Sequence, residues 1–210
     1  MHMEMVQTHG LCKKTCVVVA QLDDLPTMQI IWGARQSDYR EERAARMKLP
    51  QDQARGRLAE YCLLAALDRC DISYTLPLSI QTGAYGKPCF ANLPVMFSLS
   101  HAGQYAVAAI SLSAVGVDIE RIRPVAPALA LHILCEAEQE ALWLPDPTDA
   151  CFCRLFSAKE SVLKRSGRGF SQPMREVNLC TCADVQQQML GEYVLSVCSE
   201  WPMEVVLWNA

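Results

Sequence analysis

The chain has 210 residues and a mass of 23.4 kDa, with 51% hydrophobic and 20% charged residues. This composition is close to the globular average and excludes disordered, collagen-like and coiled-coil proteins. The 19 basic and 23 acidic side chains give a net charge of −4. That balance argues against a protein held on nucleic acid by a net basic field.

No apolar run approaches the roughly 18 residues that a membrane span requires. The best amino-terminal candidate, residues 16–20, runs directly into the polar residues 21–24, so we expect neither a signal peptide nor an anchor. The 11 cysteines are an odd number in a long chain, which favours reduced and mostly buried thiols over a disulfide framework. We therefore expect a cytoplasmic protein with no membrane or nucleic-acid partner.

Local patterns predict an α+β protein. The first predicted elements are strands at 15–20 and 28–32 and helices at 37–48 and from 50 to about 69. Residues 71–96 are rich in glycine and proline and predict turns around a short strand.

The second part of the chain begins with two predicted strands at 105–111 and 115–120, which we expect to form a hairpin or to lie adjacent to each other. Helices are predicted at 129–144 and 150–165, and short strands at 177–181, 193–198 and 205–208. A division of the fold is expected near residue 115.

The segment Gly116–Glu120 carries two acidic residues at alternate positions of a predicted strand. Asp118 and Glu120 should point to the same side, while Val117 and Ile119 face apolar packing. Two converging carboxylates could share a hard cation such as Mg²⁺, especially one that also binds phosphate oxygens. An exposed strand end with two solvated acids fits the same pattern, and the pattern alone leaves both interpretations open.

A second acidic and basic group lies in the predicted helix that contains Phe156–Lys164. Glu160 and Lys164 are four residues apart and share a face, which is consistent with an ordinary exposed helix pair. Alternatively, Glu160 could join the strand carboxylates as a third metal ligand or as a base, while the lysines bind phosphate.

A third group combines the glycine-containing turn 83–88 with the segment 97–103. Lys87, Ser100 and His101 supply donors that suit a phosphate, and glycine lets a backbone approach a ligand closely. A solvated turn lysine and a structural histidine are the alternatives. No nucleophilic triad is indicated, because neighbouring residues of an extended segment point to opposite faces.

The order of these groups resembles the 4'-phosphopantetheinyl transferases of the surfactin-synthetase-activating type, within the holo-acyl-carrier-protein synthase superfamily. The family order is Gly-Lys-Pro, a Phe-led stretch ending in Ser-His, Gly-Val-Asp-Ile-Glu, and a helix with aromatic-x-x-Lys-Glu-x-x-x-Lys. The matching segments are Gly86–Pro88, Phe97–His101, Gly116–Glu120 and Phe156–Lys164. The resemblance covers about residues 37–175, and Phe156 stands where the family usually has Trp.

The resemblance implies a Mg²⁺-dependent enzyme. It would transfer 4'-phosphopantetheine from coenzyme A to a serine of an apo carrier protein (acyl, peptidyl, aryl or polyketide) and release adenosine 3',5'-bisphosphate. A non-catalytic module that binds coenzyme A or a carrier protein is the alternative of a different class, and a metal-dependent phosphohydrolase is a further one. We expect a monomer.

The resemblance also implies roles for individual residues. Asp118, Glu120 and Glu160 would bind Mg²⁺. Glu160 would also be the base, either directly or through a metal-bound water, and Lys164 would offset charge on the leaving phosphate. The nucleotide phosphates would be bound by Lys87, Ser100, His101, Lys164, Arg40 and Arg43, with Arg55 as a further candidate. Because Arg40 and Arg43 lie near Glu41 and Glu42, a solvated charged helix face is an alternative for these two arginines.

Family members of this length fold as two similar α+β halves related by an approximate twofold, with coenzyme A between them. By this resemblance we expect an amino-terminal half at 1–114 and a carboxy-terminal half at 115–210 that carries the metal site.

Overall fold

The protein is described here from a computed structural model, and the residues described are 13–34 and 36–208. Its strands are β1 (Thr15–Gln21), β2 (Ile80–Thr82), β3 (Pro88–Phe90), β4 (Met96–Ala102), β5 (Tyr105–Ser111), β6 (Val115–Arg121), β7 (Val185–Leu190), β8 (Tyr193–Ser199) and β9 (Met203–Leu207). Its helices are α1 (Leu25–Trp32), α2 (Asp38–Arg46), α3 (Pro50–Arg69), α4 (Pro127–Ile133), α5 (Glu136–Glu138, continued by a π-helical turn at Gln139–Trp143) and α6 (Asp149–Ser166). The expected α+β class is confirmed.

The two larger sheets have different topologies. The first has the order β4-β5-β1-β9, in which β1 is antiparallel to β5 and parallel to β9. The second is an antiparallel sheet with the order β6-β8-β7. Strand β9 comes from the end of the chain and returns to the first sheet. The division into halves 1–114 and 115–210, and their approximate twofold, stay predictions.

The two sheets and two long helices form layers around strand β1. Val18 of β1 packs with Leu58 of α3 in one apolar core, whereas Val17 and Val19 face Val117 of β6 in a second core. Because strand side chains alternate between faces, a sheet buried on both sides needs apolar residues at successive positions. The run of valines in β1 meets that need, and the first sheet lies between α3 and the second sheet.

Some predicted elements are wrong in type or in pairing. Residues 28–32, predicted as a strand, belong to helix α1, which has Pro26 in its first turn and leaves Ile30 84% exposed. Proline is compatible with the first turn of a helix. The exposure of Ile30 to solvent shows that this segment is not buried as a core strand would be. The predicted strand at 177–181 is instead a short 3₁₀ turn, Leu179–Thr181.

Strands β5 and β6 do not form the hairpin that their closeness in sequence suggested. Strand β5 pairs with β4, and β6 pairs with β8 in the other sheet. Within the described residues, no helix combines the length and apolar character that a membrane crossing requires.

Strand β6 lies directly against the backbone of helix α6 at Gly116. A β-carbon at this position would overlap the carbonyl oxygen of Ser161 and the backbone of Arg165. Only glycine permits so close an approach. Since residues 116, 118 and 120 share one face of the strand, the acidic pair of β6 is brought next to the helix that carries Glu160 and Lys164.

A buried ion pair holds the other side of α6 in place. The Lys159 ammonium lies 2.6 Å from the Glu138 carboxylate, and neither side chain is exposed to solvent. Lys159 also donates to the carbonyl oxygens of Met174 and Val177, while Glu138 accepts from the backbone N–H of Leu179. The pair is thus fully hydrogen-bonded, and it joins α5, α6 and the segment after α6.

Replacing Gly116 by alanine is expected to destabilise the fold by about 3 kcal/mol, because the added methyl group would force β6 and α6 apart. Urea unfolding measures the change. Gly83→Ala is the matched control, since a β-carbon there would meet its nearest neighbour, the Lys87 carbonyl oxygen, at an ordinary 3.6 Å. Equal unfolding midpoints for the two variants would contradict the packing described for Gly116.

Removing one member of the buried pair with Lys159→Met is expected to cost about 3 to 5 kcal/mol, because Glu138 would be left charged and unpaired. The double variant Lys159→Met, Glu138→Gln removes both charges and keeps a side-chain oxygen for one of the two backbone N–H groups, of Cys135 and Leu179, that bind Glu138. Its unfolding midpoint should recover much of the loss. A double variant less stable than Lys159→Met alone would show that the charges do not act as a pair.

Candidate active site

A cleft of about 610 Å³ brings together the predicted site residues. Its walls come from α2, the turn before β3, β4, β6 and α6. The residues predicted from the sequence that line it are Arg40, Arg43, Lys87, Ser100, His101, Asp118, Glu120, Glu160 and Lys164. Arg55 has a different environment: it pairs with Asp52 and donates to the carbonyl oxygen of Gly103, which is 2.9 Å away.

Asp118 lies at the base of the cleft and is only 4% exposed. Its Oδ1 accepts hydrogen bonds from the Lys164 ammonium at 2.7 Å and from the Ser100 hydroxyl at 2.9 Å. Its Oδ2 is buried and has no hydrogen-bond partner among the described residues. A buried carboxylate oxygen without a partner is costly, and it is the type of atom that a cation would satisfy.

Glu120 and Glu160 complete the acidic wall. Burial, and after it the Asp118 carboxylate, raise the pKa of Glu120 to about 7. Burial also raises the pKa of Glu160, with a smaller contribution from Asp118 and an opposing one from Lys164. The three carboxylates therefore lie within electrostatic reach of one another, and a positive ion near them would stabilise their charged forms.

The fit of these carboxylates to a metal ion is partial. Carboxylate oxygens are the ligands that Mg²⁺ prefers, and Oδ2 of Asp118 is available. In the described part of the chain, however, no three His, Cys, Asp or Glu side chains are gathered closely enough to form a ready-made metal cluster. The donor chemistry thus suits Mg²⁺, while the coordination sphere is not preassembled.

Lys87 lines the cleft, but its ammonium is engaged by the backbone. Its Nζ donates to the carbonyl oxygen of Val115 at 2.9 Å and to that of Arg165 at 3.1 Å. Burial, and then the charge of Arg165, lower the pKa of Lys87 to about 8. In this arrangement Lys87 ties the turn before β3 to the start of β6 and the end of α6.

His101 lies on the cationic side of the cleft. Burial lowers its pKa to about 4, and Arg55, Arg40 and Lys164 lower it in the same direction. The imidazole is therefore neutral at pH 7, with several positive charges around it. An anion bound here would be attracted by the cations and would favour protonation of the ring.

Arg40 is buried beside the cleft and lacks a strong partner. It is 4% exposed, its Nε has no hydrogen bond, and the nearest Glu60 carboxylate oxygen is 3.9 Å away. Glu60 in turn accepts from the backbone N–H of Ser37 at 2.7 Å and from the Ser37 hydroxyl at 2.5 Å. A buried, weakly paired guanidinium at a cleft suits an anionic ligand.

Two residues that support Arg40 were missed by sequence reasoning. Glu60 interrupts the apolar face of α3, which was a usable signal, because a charged residue in a buried stretch normally has a partner. Gly56 is the second: a β-carbon there would lie 3.2 Å from Nη1 of Arg40, so the glycine leaves room for the guanidinium. Arg43 remains exposed and lies over the Tyr39 ring, 5.6 Å from its centroid.

Comparison with known proteins gives matches to 4'-phosphopantetheinyl transferases. Residues 114–203 match the model of the 4'-phosphopantetheinyl transferase superfamily. The chain is 33% identical over 111 residues to the 4'-phosphopantetheinyl transferase Sfp of Bacillus subtilis strain 168, covering 51% of this chain and 47% of the relative. It is 36% identical over 105 residues to 4'-phosphopantetheinyl transferase psf-1 of Bacillus pumilus, covering 47% and 45%.

A third relative is 4'-phosphopantetheinyl transferase gsp of Aneurinibacillus migulanus, which is 35% identical over 94 residues, 43% of this chain and 38% of the relative. The matched region spans about half the length of these curated relatives or less. Residues 114–203, which match the family model, contain β6 and α6, and with them all three carboxylates of the cleft. Over residues 114–203, the chain is therefore similar to the 4'-phosphopantetheinyl transferase superfamily.

Proposed function

We propose that the protein transfers 4'-phosphopantetheine from coenzyme A to a serine of an apo carrier protein, of the acyl, peptidyl, aryl or polyketide type, and releases adenosine 3',5'-bisphosphate. The observation that carries this proposal is a cleft in which three carboxylates of β6 and α6 face the arginines of α2 and the lysine of α6. The names of the relatives support the same reaction. The proposal includes a cytoplasmic monomer, as predicted from the sequence.

The cationic side of the cleft would bind the phosphates of coenzyme A. Arg40 and His101 are the best supported, because Arg40 is buried without a strong partner and His101 is surrounded by positive charge. Arg43 and Lys164 add charge from the rim and from α6. Lys87 and Ser100, also predicted for this role, have their hydrogen bonds directed elsewhere.

The acidic side would bind Mg²⁺ through Asp118, Glu120 and Glu160. When bound, the ion supplies positive charge to neutralise the diphosphate of coenzyme A. The unpartnered Oδ2 of Asp118 and the desolvated carboxylates of Glu120 and Glu160 support this assignment.

In the transfer step, the serine oxygen of the carrier would form a bond to the phosphorus next to pantetheine, and the bond to the bridging diphosphate oxygen would break. The serine proton would pass to the Glu160 carboxylate, which lines the cleft next to the Asp118 and Lys164 side chains. The released adenosine 3',5'-bisphosphate would carry the new negative charge, which the Lys164 ammonium can stabilise.

Removing the base with Glu160→Gln is expected to lower the transfer rate at least about 100-fold, because the serine proton then has no acceptor. Mass spectrometry of an apo carrier protein incubated with coenzyme A and Mg²⁺ measures the added phosphopantetheine. Glu140→Gln, an exposed position outside the cleft, is the control and should react like the natural protein. Transfer at the natural rate by Glu160→Gln would remove Glu160 from the mechanism.

Removing the buried cation with Arg40→Gln is expected to weaken coenzyme A binding roughly 10- to 100-fold, the usual effect of losing a charged hydrogen-bond donor. Titration calorimetry with coenzyme A measures the change, and circular dichroism checks that the variant is folded. Arg46→Gln, on the same helix but with 80% of its side chain exposed, is the control. An unchanged dissociation constant for Arg40→Gln would place the phosphates elsewhere.

A further inference from the structure

The Ser100 hydroxyl lies between the two members of the ion pair at the base of the cleft. Its Oγ is 2.9 Å from Oδ1 of Asp118 and 2.9 Å from Nζ of Lys164. Asp118 and Lys164 are themselves 2.7 Å apart. The three polar groups thus form a closed triangle, in which Ser100 and Asp118 are almost fully buried.

The donors and acceptors of this triangle can be assigned from chemistry. A carboxylate only accepts and an ammonium only donates, so the Ser100 hydroxyl must donate to Asp118 and accept from Lys164. Its oxygen also accepts from the backbone N–H of Ile119 at 3.4 Å. A hydroxyl has one hydrogen and two lone pairs, so Ser100 has no donor left for a phosphate of coenzyme A.

Ser100 belongs to a repeated contact between two strands of different sheets. Ser98, two residues earlier in β4, accepts from the backbone N–H of Val117 at 3.1 Å. Together the two serine hydroxyls accept from the N–H groups on either side of Asp118. They hold β6 in register against β4 where no backbone ladder joins these strands.

These contacts leave the two oxygens of Asp118 in different environments. Oδ1 has two strong donors, while Oδ2 is buried without a partner. A carboxylate held on one side cannot turn freely, so Oδ2 stays directed away from Ser100. We propose that Ser100 is a positioning residue that holds Asp118 so that Oδ2 is presented to a divalent cation, and that Ser100 does not bind the phosphates of coenzyme A. The inference rests on the proposed metal-dependent transfer.

The test compares metal binding with coenzyme A binding in the full chain. Mn²⁺, followed by electron paramagnetic resonance without coenzyme A, reports the metal affinity directly. Ser100→Ala should weaken Mn²⁺ binding about 10-fold, the loss expected for one hydrogen bond to a charged group. The Mg²⁺ concentration for half-maximal transfer should rise by a similar factor, while KM for coenzyme A stays within about twofold.

Two further variants separate positioning from general stability. Ser100→Thr keeps the hydroxyl and should restore most of the Mn²⁺ affinity. Ser196→Ala is the matched control: Ser196 is buried opposite Asp118 in strand β8, but its hydroxyl accepts from Gln187. It should bind Mn²⁺ as the natural protein does. If Ser100→Ala fails to fold, Ser100→Cys keeps the side-chain volume with a weaker donor and should show the same direction of change.

The opposite results would overturn the inference. A higher KM for coenzyme A with unchanged Mn²⁺ affinity would make Ser100 a phosphate ligand. Equal losses of Mn²⁺ affinity in Ser100→Ala and Ser196→Ala would reduce its role to stability. Failure of the proposed function gives a different result: the natural protein would bind Mn²⁺ in a Ser100-dependent way but transfer no phosphopantetheine to any carrier.

Discussion

The contact between strand β6 and helix α6 is the constraint on which the site depends. Gly116 allows the two backbones to approach within a distance that no other residue permits. Because side chains of a strand alternate, this contact fixes the face of β6 that carries Asp118 and Glu120 and turns it toward Glu160 and Lys164. The opposite face, with Val115, Val117 and Ile119, is then sealed in the core between the sheets. One glycine thus sets both the apolar packing and the position of the carboxylates.

The electrostatics of the cleft follow from where its charges are fixed. The acids come from β6 and α6, whereas Arg40, Arg43 and His101 come from α2 and β4. Burial disfavours charge on both sides, since it raises the pKa of Glu120 and Glu160 and lowers that of His101 and Arg40. A ligand that carries phosphates together with a divalent cation would offset both effects at once. The arrangement is consistent with the proposed binding of coenzyme A together with Mg²⁺.

Sequence patterns predicted the helices and strands whose apolar residues match the faces that the fold buries. Strands β1, β5, β6 and β8 and helix α3 have strong apolar periodicity, and all were expected at nearly their observed positions. Strand β7 was missed because its three consecutive glutamines, from Gln186 to Gln188, suit a solvated edge and give no apolar alternation. Residues 28–32 were misassigned because β-branched residues favour strands, although Pro26 was a usable sign of a helix start.

The order of motifs predicted the residues of the cleft, but contacts made through tertiary packing, such as Glu60 with Arg40 or Ser100 with Asp118, have no signature in sequence spacing.

Adjacent residues of α6 show how one short motif serves two purposes. Lys159 and Glu160 are neighbours, and successive helix residues are turned by about 100°. Lys159 consequently points into the protein and pairs with Glu138, while Glu160 points into the cleft beside Asp118. The buried pair fixes the rotation of the helix about its axis, and that rotation decides where the Glu160 carboxylate lies. Lys164, one turn beyond Glu160, returns to the same face and reaches Asp118. Lys159, one of the lysines of this motif that could bind phosphate by sequence, is therefore a buried anchor, and its fixed position directs the Glu160 carboxylate into the cleft.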